Sequence, residues 1–238
     1  MSQNKLFLII PIFIVAVSLY VFTAGLKKKE ENLPSDETTQ NSGKVANTAQ
    51  STNLKEIYLA GGCFWGLEAY MQKIDGVEDA VSGYANGKTE NPKYQDLHTS
   101  GHAETVKVIY NPDKVSLEDL LEYYLRVVDP LSVNKQGNDV GRQYRTGIYY
   151  TDKKDVPVIQ AFLKRMQAKY TRPIAVEMEP LRNFVLAEDY HQDYLEKNPN
   201  GYCHINLNLA SVPLHDEAKL KTTDEKKIKE RLKKSSKK

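Results

Sequence analysis

"KEIYLAGGCFWGLEAYMQKI", residues 55–74, changes its hydrophobic period partway along. "KEIYLAGG" is a short apolar run ending in two glycines, which reads as a strand and a tight turn. From there Phe64, Leu67, Met71 and Ile74 recur at spacings of three and four, one face of a helix, which Asp75-Gly76 ends. Between the two lies Cys63, one of only two cysteines in 238 residues. A thiol after a strand, at the first turn of a helix, feels the positive end of the helix dipole; that favours thiolate and lowers its pKa. Gly61 and Gly62 let the backbone approach the sulfur and leave amide N–H groups pointing at it. The placement suits a nucleophile, and equally a buried cysteine packing as a small hydrophobe. Phe64 and Trp65 cannot share one helix face, because neighbours point about 100° apart. Phe64 fits the core stripe. Trp65, the only Trp, then lies off it near the thiol, either as an exposed wall for a methyl- or sulfur-bearing group or packed under a loop.

Outward from this unit, strands and helices interleave. "VEDAVSGYANG" (77–87) reads as a strand and a turn, "ENPKYQDLHTSGHA" (90–103) as a long loop, and "ETVKVIYNP" (104–112) as a strand. "SLEDLLEYYLRVV" (116–128) is a helix with Ser116 as N-cap and Asp119 at the capping-box position. "VNKQGNDVGRQYR" (133–145) is a glycine-bearing loop, and "TGIYYT" (146–151) a strand. "DVPVIQAFLKRMQAKY" (155–170) is a helix, "IAVEMEPL" (174–181) a strand, and "AEDYHQDYLEKN" (187–198) a short helix. A single α+β domain follows, with helices covering one face of a mixed sheet.

The ends differ from this body. Residues 6–26 carry no charged side chain and are long enough to cross a hydrocarbon core as a helix. Residues 1–26 are therefore expected to be an uncleaved membrane anchor, with a cleaved signal as the alternative. Lys27, Lys28 and Lys29 outnumber Lys5 plus the amino terminus, which by the positive-inside rule favours a cytoplasmic body. A short N-tail followed at once by an apolar run commonly acts as a signal or signal-anchor, so a membrane-anchored or secreted, extracytoplasmic domain is expected. Residues 27–53 are rich in Ser, Thr, Asn and Gln and read as a flexible tether. The globular domain is expected over 54–210, and 211–238 form a basic, solvated tail. Net charge is +2, which gives no sign of a nucleic-acid binder. Two cysteines make neither a disulfide framework nor, without histidines, a zinc site.

The remaining candidates are scattered along the chain. Glu104 sits just before a strand among small residues; in an apolar site it is a protonated donor, elsewhere a solvated strand-start residue. His98 and His102 are separated by "TSG", which breaks any helix, so they form no zinc pair. Tyr94 and Tyr144 can each supply a phenolic hydrogen bond. Cys203 follows the Asn200-Gly201 turn, where a second thiol either resolves an oxidised Cys63 or forms a fixed structural disulfide with it.

Four stretches together, "GGCFWGLEAYM", "GHAETVKVIY", "VGRQYRTGIYY" and "HQDYLEKNPNGYCHI", resemble the A type of peptide methionine sulfoxide reductase, in order from Lys55 to Leu209. The resemblance implies a two-layer α/β roll with a ferredoxin-like mixed sheet. It makes Cys63 the cysteine that attacks the sulfoxide sulfur, and Phe64 and Trp65 the aromatics that hold the substrate methyl group. Glu104 becomes the acid that protonates the oxygen, Tyr94 and Tyr144 the tyrosines that bind it, Asp139 a pocket acid, and Cys203 the resolving cysteine. It implies specificity for the S epimer, free or in proteins, no metal or organic cofactor, and thioredoxin or another dithiol as reductant; a monomer is expected. Two other classes stay open on the residues alone. One is a cysteine hydrolase, which needs a histidine base near Cys63; the other is a tethered binding module with a structural Cys63–Cys203 bond.

Overall fold

The first strand, β1 (Lys55–Ala60), alternates Ile57 and Leu59 toward one face with Tyr58 and Ala60 toward the other, and all four are buried. A strand buried on both faces belongs at the centre of a sheet. In the computed structural model, which describes residues 53–214, β1 pairs antiparallel with strands on both sides. These are β3 (Ala103–Tyr110) and β6 (Thr146–Tyr150). Between β1 and β3 in sequence come α1 (Phe64–Met71), β2 (Val77–Ala85) and the short α2 (Leu97–Ser100). Between β3 and β6 come α3 (Leu117–Val127) and a two-residue hairpin, β4 (Lys135–Gln136) and β5 (Asp139–Val140). After β6 follow α4 (Val156–Gln167), β7 (Val176–Pro180), β8 (Phe184–Leu186) and α5 (Tyr194–Lys197).

The six-stranded sheet has the order β7-β6-β1-β3-β2-β8. Its middle, β6-β1-β3-β2 with α1 and α3 as the two crossovers, is the β-α-β-β-α-β arrangement of ferredoxin-like folds. α4 makes the one parallel connection, from β6 to β7. The expected α+β class and ferredoxin-like mixed sheet are what the chain adopts. The apolar faces of α1, α3 and α4 form the main core with Leu59, Val106, Val108 and Ile148 of the sheet.

Arithmetic explains why the sheet is a roll. β7 and β8 lie at opposite edges, five strand spacings or about 24 Å apart if the sheet were flat. Residues 181–183 connect them, and the four steps from Pro180 to Phe184 reach at most about 14 Å. The edges must therefore curl toward each other over the face opposite the helices. Asn86 N–H donates to the Asn183 carbonyl at 3.2 Å and Leu181 N–H to Tyr150 at 2.9 Å. Phe184, from the edge, meets Tyr58 of the central strand edge-on at 5.0 Å. A second small core of Tyr58, Ala60, Ala85, Ala103 and Tyr149 is sealed beneath Leu181 and Phe184.

Several local readings change. The expected loop at 90–103 holds a 3₁₀ turn, Tyr94–Asp96, running into α2: the Asp96 carboxylate accepts from Lys93 N–H at 2.9 Å, and Gly101 (φ 71°) ends the helix. Within 133–145 the β4–β5 hairpin turns at Gly137 (φ 57°). Residues 187–198 are not one helix, because Asp193 adopts φ 51° and only Tyr194–Lys197 is helical. Edge strand β8 was not expected at all. The Ser116 N-cap is as expected: its Oγ accepts from Asp119 N–H at 3.1 Å and donates to the Asp119 carboxylate at 2.8 Å.

Tyr124 of α3 ties the sheet together under the site. Its buried hydroxyl lies against the carbonyls of Ala60, where β1 ends, and Gly147, in β6. Tyr124→Phe leaves both carbonyls without this donor and is expected to cost about 1–3 kcal/mol of stability, read by urea unfolding. A loss below measurement error would show that the hydroxyl is dispensable.

Candidate active site

The strand-to-helix turn that carries Cys63 is shaped by contacts on its outer side. Gly62 has φ +82°, and a Cβ there would lie 2.6 Å from Cβ of Gln136. Gln136 in turn pins the β4–β5 hairpin: it accepts from Asp129 N–H at 3.0 Å and donates to the Asp129 carbonyl at 2.8 Å and to Thr146 Oγ1 at 2.9 Å. Cys63 is the N-cap of α1, with extended backbone, and is buried. The amides of Trp65 and Gly66 favour its thiolate, as expected from the helix end. Burial outweighs them, and with the nearby Glu104 carboxylate it pushes the thiol pKa up rather than down. The low-pKa thiolate expected from position alone is thus overturned by desolvation.

Glu104 is not ahead of a strand but the second residue of β3, on the helix-facing side with Val106 and Val108. It is 2% exposed, and Phe64 N–H donates to its Oε2 at 3.1 Å. Burial raises its pKa to about 8, against the opposing pull of that hydrogen bond, so at neutral pH it holds a proton. Tyr94, Tyr144 and Asp139 converge on it electrostatically. Tyr94 and Tyr144 lie close enough for their phenols to interact. Asp139, on β5, accepts from Tyr202 O–H at 3.1 Å and faces His204 Nδ1 at 3.6 Å. Cys203 also reaches this corner: a Cβ at Gly66 would lie 3.1 Å from its sulfur. Gly66 follows Cys63 by three residues, on the same face of the helix.

Phe64 is buried, as its place in the core stripe requires. Trp65 is half-buried rather than an exposed wall. Its ring lies on Tyr194 at 3.7 Å and 14°, and its indole N–H donates to His191 Nδ1 at 2.9 Å. His191 is itself buried against Phe64, Tyr94 and Tyr190. His191 and Tyr194 were not anticipated. Their three-residue spacing was legible, but it was absorbed into a helix that Asp193 interrupts.

The segment that brings them is held by Glu68, also unanticipated. This carboxylate, 1% exposed, accepts from Ser82 N–H at 3.0 Å and from Asp193 N–H at 2.9 Å. Burial raises its pKa to about 7. Glu68→Ala leaves Asp193 N–H without its carboxylate acceptor and Ser82 N–H with Gln192 Oε1 alone, at 3.0 Å, costs about 1–3 kcal/mol, and loosens Tyr194 from Trp65. Because Trp65 is the only Trp, its fluorescence reads this directly. A shifted emission maximum is expected, and wild-type emission would contradict the link.

His98 and His102 do not converge. His98 is exposed on α2, whereas His102 is buried with Nδ1 3.0 Å from Ser100 Oγ. Among the described residues no group of three or more His, Cys, Asp or Glu side chains is arranged to hold a metal ion.

The family model for peptide methionine sulfoxide reductase matches residues 55–223. Among solved structures, the chain is similar to reduced Mxr1 from Saccharomyces cerevisiae, at 39% identity and a TM-score of 0.60, over 63% of this chain and 88% of that one. It is also similar to methionine sulfoxide reductase A of Corynebacterium diphtheriae, at 32% identity and a TM-score of 0.58, over 66% and 80% of the two chains.

Proposed function

Because the chain belongs to the peptide methionine sulfoxide reductase family and is a methionine-S-sulfoxide reductase, we propose the roles by which Cys63, Glu104 and Cys203 carry that reaction. The observation that carries this reading is the buried Glu104, with one carboxyl oxygen taken by Phe64 N–H, beside the Cys63 thiol. A sulfoxide oxygen leaves poorly until protonated, so an acid that keeps its proton to about pH 8 suits it. Glu104 gives its proton to that oxygen as the Cys63 sulfur attacks the sulfoxide sulfur, and recovers one from the thiol. Net, the thiol and the sulfoxide become a Cys63 sulfenic acid and a thioether, and the sulfoxide sulfur is reduced by two electrons. A protonated Glu104 relieves the smaller, electrostatic part of what raises the thiol pKa, and burial remains the larger cause. Tyr94 and Tyr144 hydrogen-bond the oxygen, Phe64 and Trp65 pack on the methyl group, and Asp139 orients the rest of the substrate.

Cys203 then condenses with the sulfenic acid, forming the disulfide and releasing water. A thioredoxin-like dithiol returns both thiols. With only two cysteines in the chain, that bond itself is the reductant's target. The reaction as proposed uses no metal or organic cofactor, and the enzyme works as a monomer repairing oxidised proteins. A dithiol-coupled assay with the two sulfoxide epimers supplied separately tests the reading. Turnover of the S epimer alone is expected; turnover of neither would refute it.

We also propose that residues 1–26 anchor this domain outside the cytoplasm through the 27–53 tether. Residues 1–52 lie outside the described residues, and among the described ones no helix is long and apolar enough to cross a membrane. A topology reporter fused after residue 214 tests this, with an extracytoplasmic signal expected.

A further inference from the structure

Residues 202–205 lie between the β4–β5 hairpin and the first turn of α1, and form neither helix nor strand. Their side chains nevertheless alternate as an extended chain requires. Tyr202 and His204 point to the hairpin, where both meet the same carboxylate oxygen, Asp139 Oδ2, at 3.1 and 3.6 Å. His204 also packs on glycines at either side: a Cβ at Gly62 or Gly137 would come within 3.0 or 3.2 Å of its side chain. Cys203 and Ile205 point the other way, onto Gly66, at 3.1 and 3.4 Å from the position of its missing Cβ. Ile205 is buried in the main core, and Cys203 donates to the Ile205 carbonyl at 3.3 Å. The hairpin side of this arrangement is rigid, because Gln136 fastens it to β6 and to the end of α3.

A slip of one residue in an extended segment turns every side chain to the opposite face. We infer that Asp139, hydrogen-bonded by Tyr202 and faced by His204, is a register clamp that holds the Cys203 sulfur against α1, three residues from Cys63. This rests on the proposed reaction, in which Cys203 resolves Cys63. Asp139 then acts a second time in the cycle. Once the thioether has left, the clamp positions the thiol of Cys203 for the step in which Cys63–S–OH and HS–Cys203 become the disulfide and water. Tyr202 and His204 are positioning residues that act through Asp139 and touch neither substrate nor the reacting sulfurs.

The test separates the two chemical steps in the reduced full chain, with S-methionine sulfoxide and no reductant. Methionine release is followed by rapid quench, and the Cys63 sulfenic acid by trapping with dimedone. Tyr202→Phe is expected to release methionine within about twofold of the wild-type rate and to close the disulfide about tenfold more slowly, the loss of one hydrogen bond to a charged group. The trapped sulfenic acid rises correspondingly. With Asp139→Ala already present, Tyr202→Phe should slow closure by less than about twofold more, because the grip is then gone. Closure at the wild-type rate in Tyr202→Phe, or full additivity of the two substitutions, overturns the clamp. Absence of methionine from the wild-type chain would instead overturn the proposed reaction, and the clamp with it.

Discussion

Cys63→Ser is expected to abolish sulfoxide reduction, on the order of 10⁴-fold or more, while leaving the fold intact. The two halves of that result come from different physics. Position 63 is the N-cap of α1, with φ −61° and ψ 120°, and serine is among the best N-cap residues. The variant should therefore unfold at a temperature no lower than that of the wild type. A hydroxyl in the same place is a far poorer nucleophile toward sulfur. It also cannot form a sulfenic acid or pair with Cys203, so the oxygen has no acceptor. A steady-state assay beside a thermal melt checks both halves. Residual activity within about tenfold of wild type would remove Cys63 from the chemistry, and a collapsed melt would make the loss uninformative.

Glu104→Gln is expected to lower the rate of sulfoxide reduction by about 10²–10⁴-fold, the usual range for a lost general acid. The amide preserves the shape and can still accept from Phe64 N–H, but it has no proton of the required acidity. The pH profile separates this role from simple packing. Glu104 must be protonated to act, and its pKa is raised to about 8, so wild-type single-turnover rates should fall as pH rises through about 8. The variant should lack that limb. The substitution should affect stability in the opposite sense to activity. A carboxyl whose folded pKa lies above its unfolded value contributes most below the unfolded value, and its contribution is lost as pH rises through the folded one. Between about pH 4.5 and 8 the wild type should therefore lose stability relative to Glu104→Gln. A less active variant whose stability relative to the wild type grows with rising pH is what a buried proton donor predicts. Unchanged activity in the variant would assign the acid role elsewhere.

How far residues alone anticipated this molecule depended on whether the controlling force was local. The strand, glycine pair and helix at 55–74 were legible because period and turn residues act over a few positions, and β1 and α1 formed where they pointed. Ser116 and its helix were legible for the same reason. β8 was not: Phe184–Leu186 is strand only because residues 181–183 carry the chain across to β2, a tertiary event. Helical spacing misled at 187–198, since Asp193 takes a left-handed conformation with its amide held by Glu68, far away in sequence. The site shows the same division. Seven of the eight candidates were picked out by residue type and position, and the resemblance added Asp139; Glu104, Asp139 and Tyr94 lie near the Cys63 thiol. His191, Tyr194 and Glu68 escaped because their significance lies in what they touch. The sharpest failure was electrostatic: a helix end seen from sequence promises a thiolate, whereas burial and the neighbouring carboxylate, invisible there, reverse the shift.

The most direct test of the account is a single turnover without reductant. The fully reduced chain is mixed with S-methionine sulfoxide and analysed by intact mass and peptide mapping. One methionine released per chain, a protein lighter by two hydrogen atoms, and a peptide pair joined through Cys63 and Cys203 are expected. Methionine formed while both cysteines stay reduced, or no methionine at all, would contradict it.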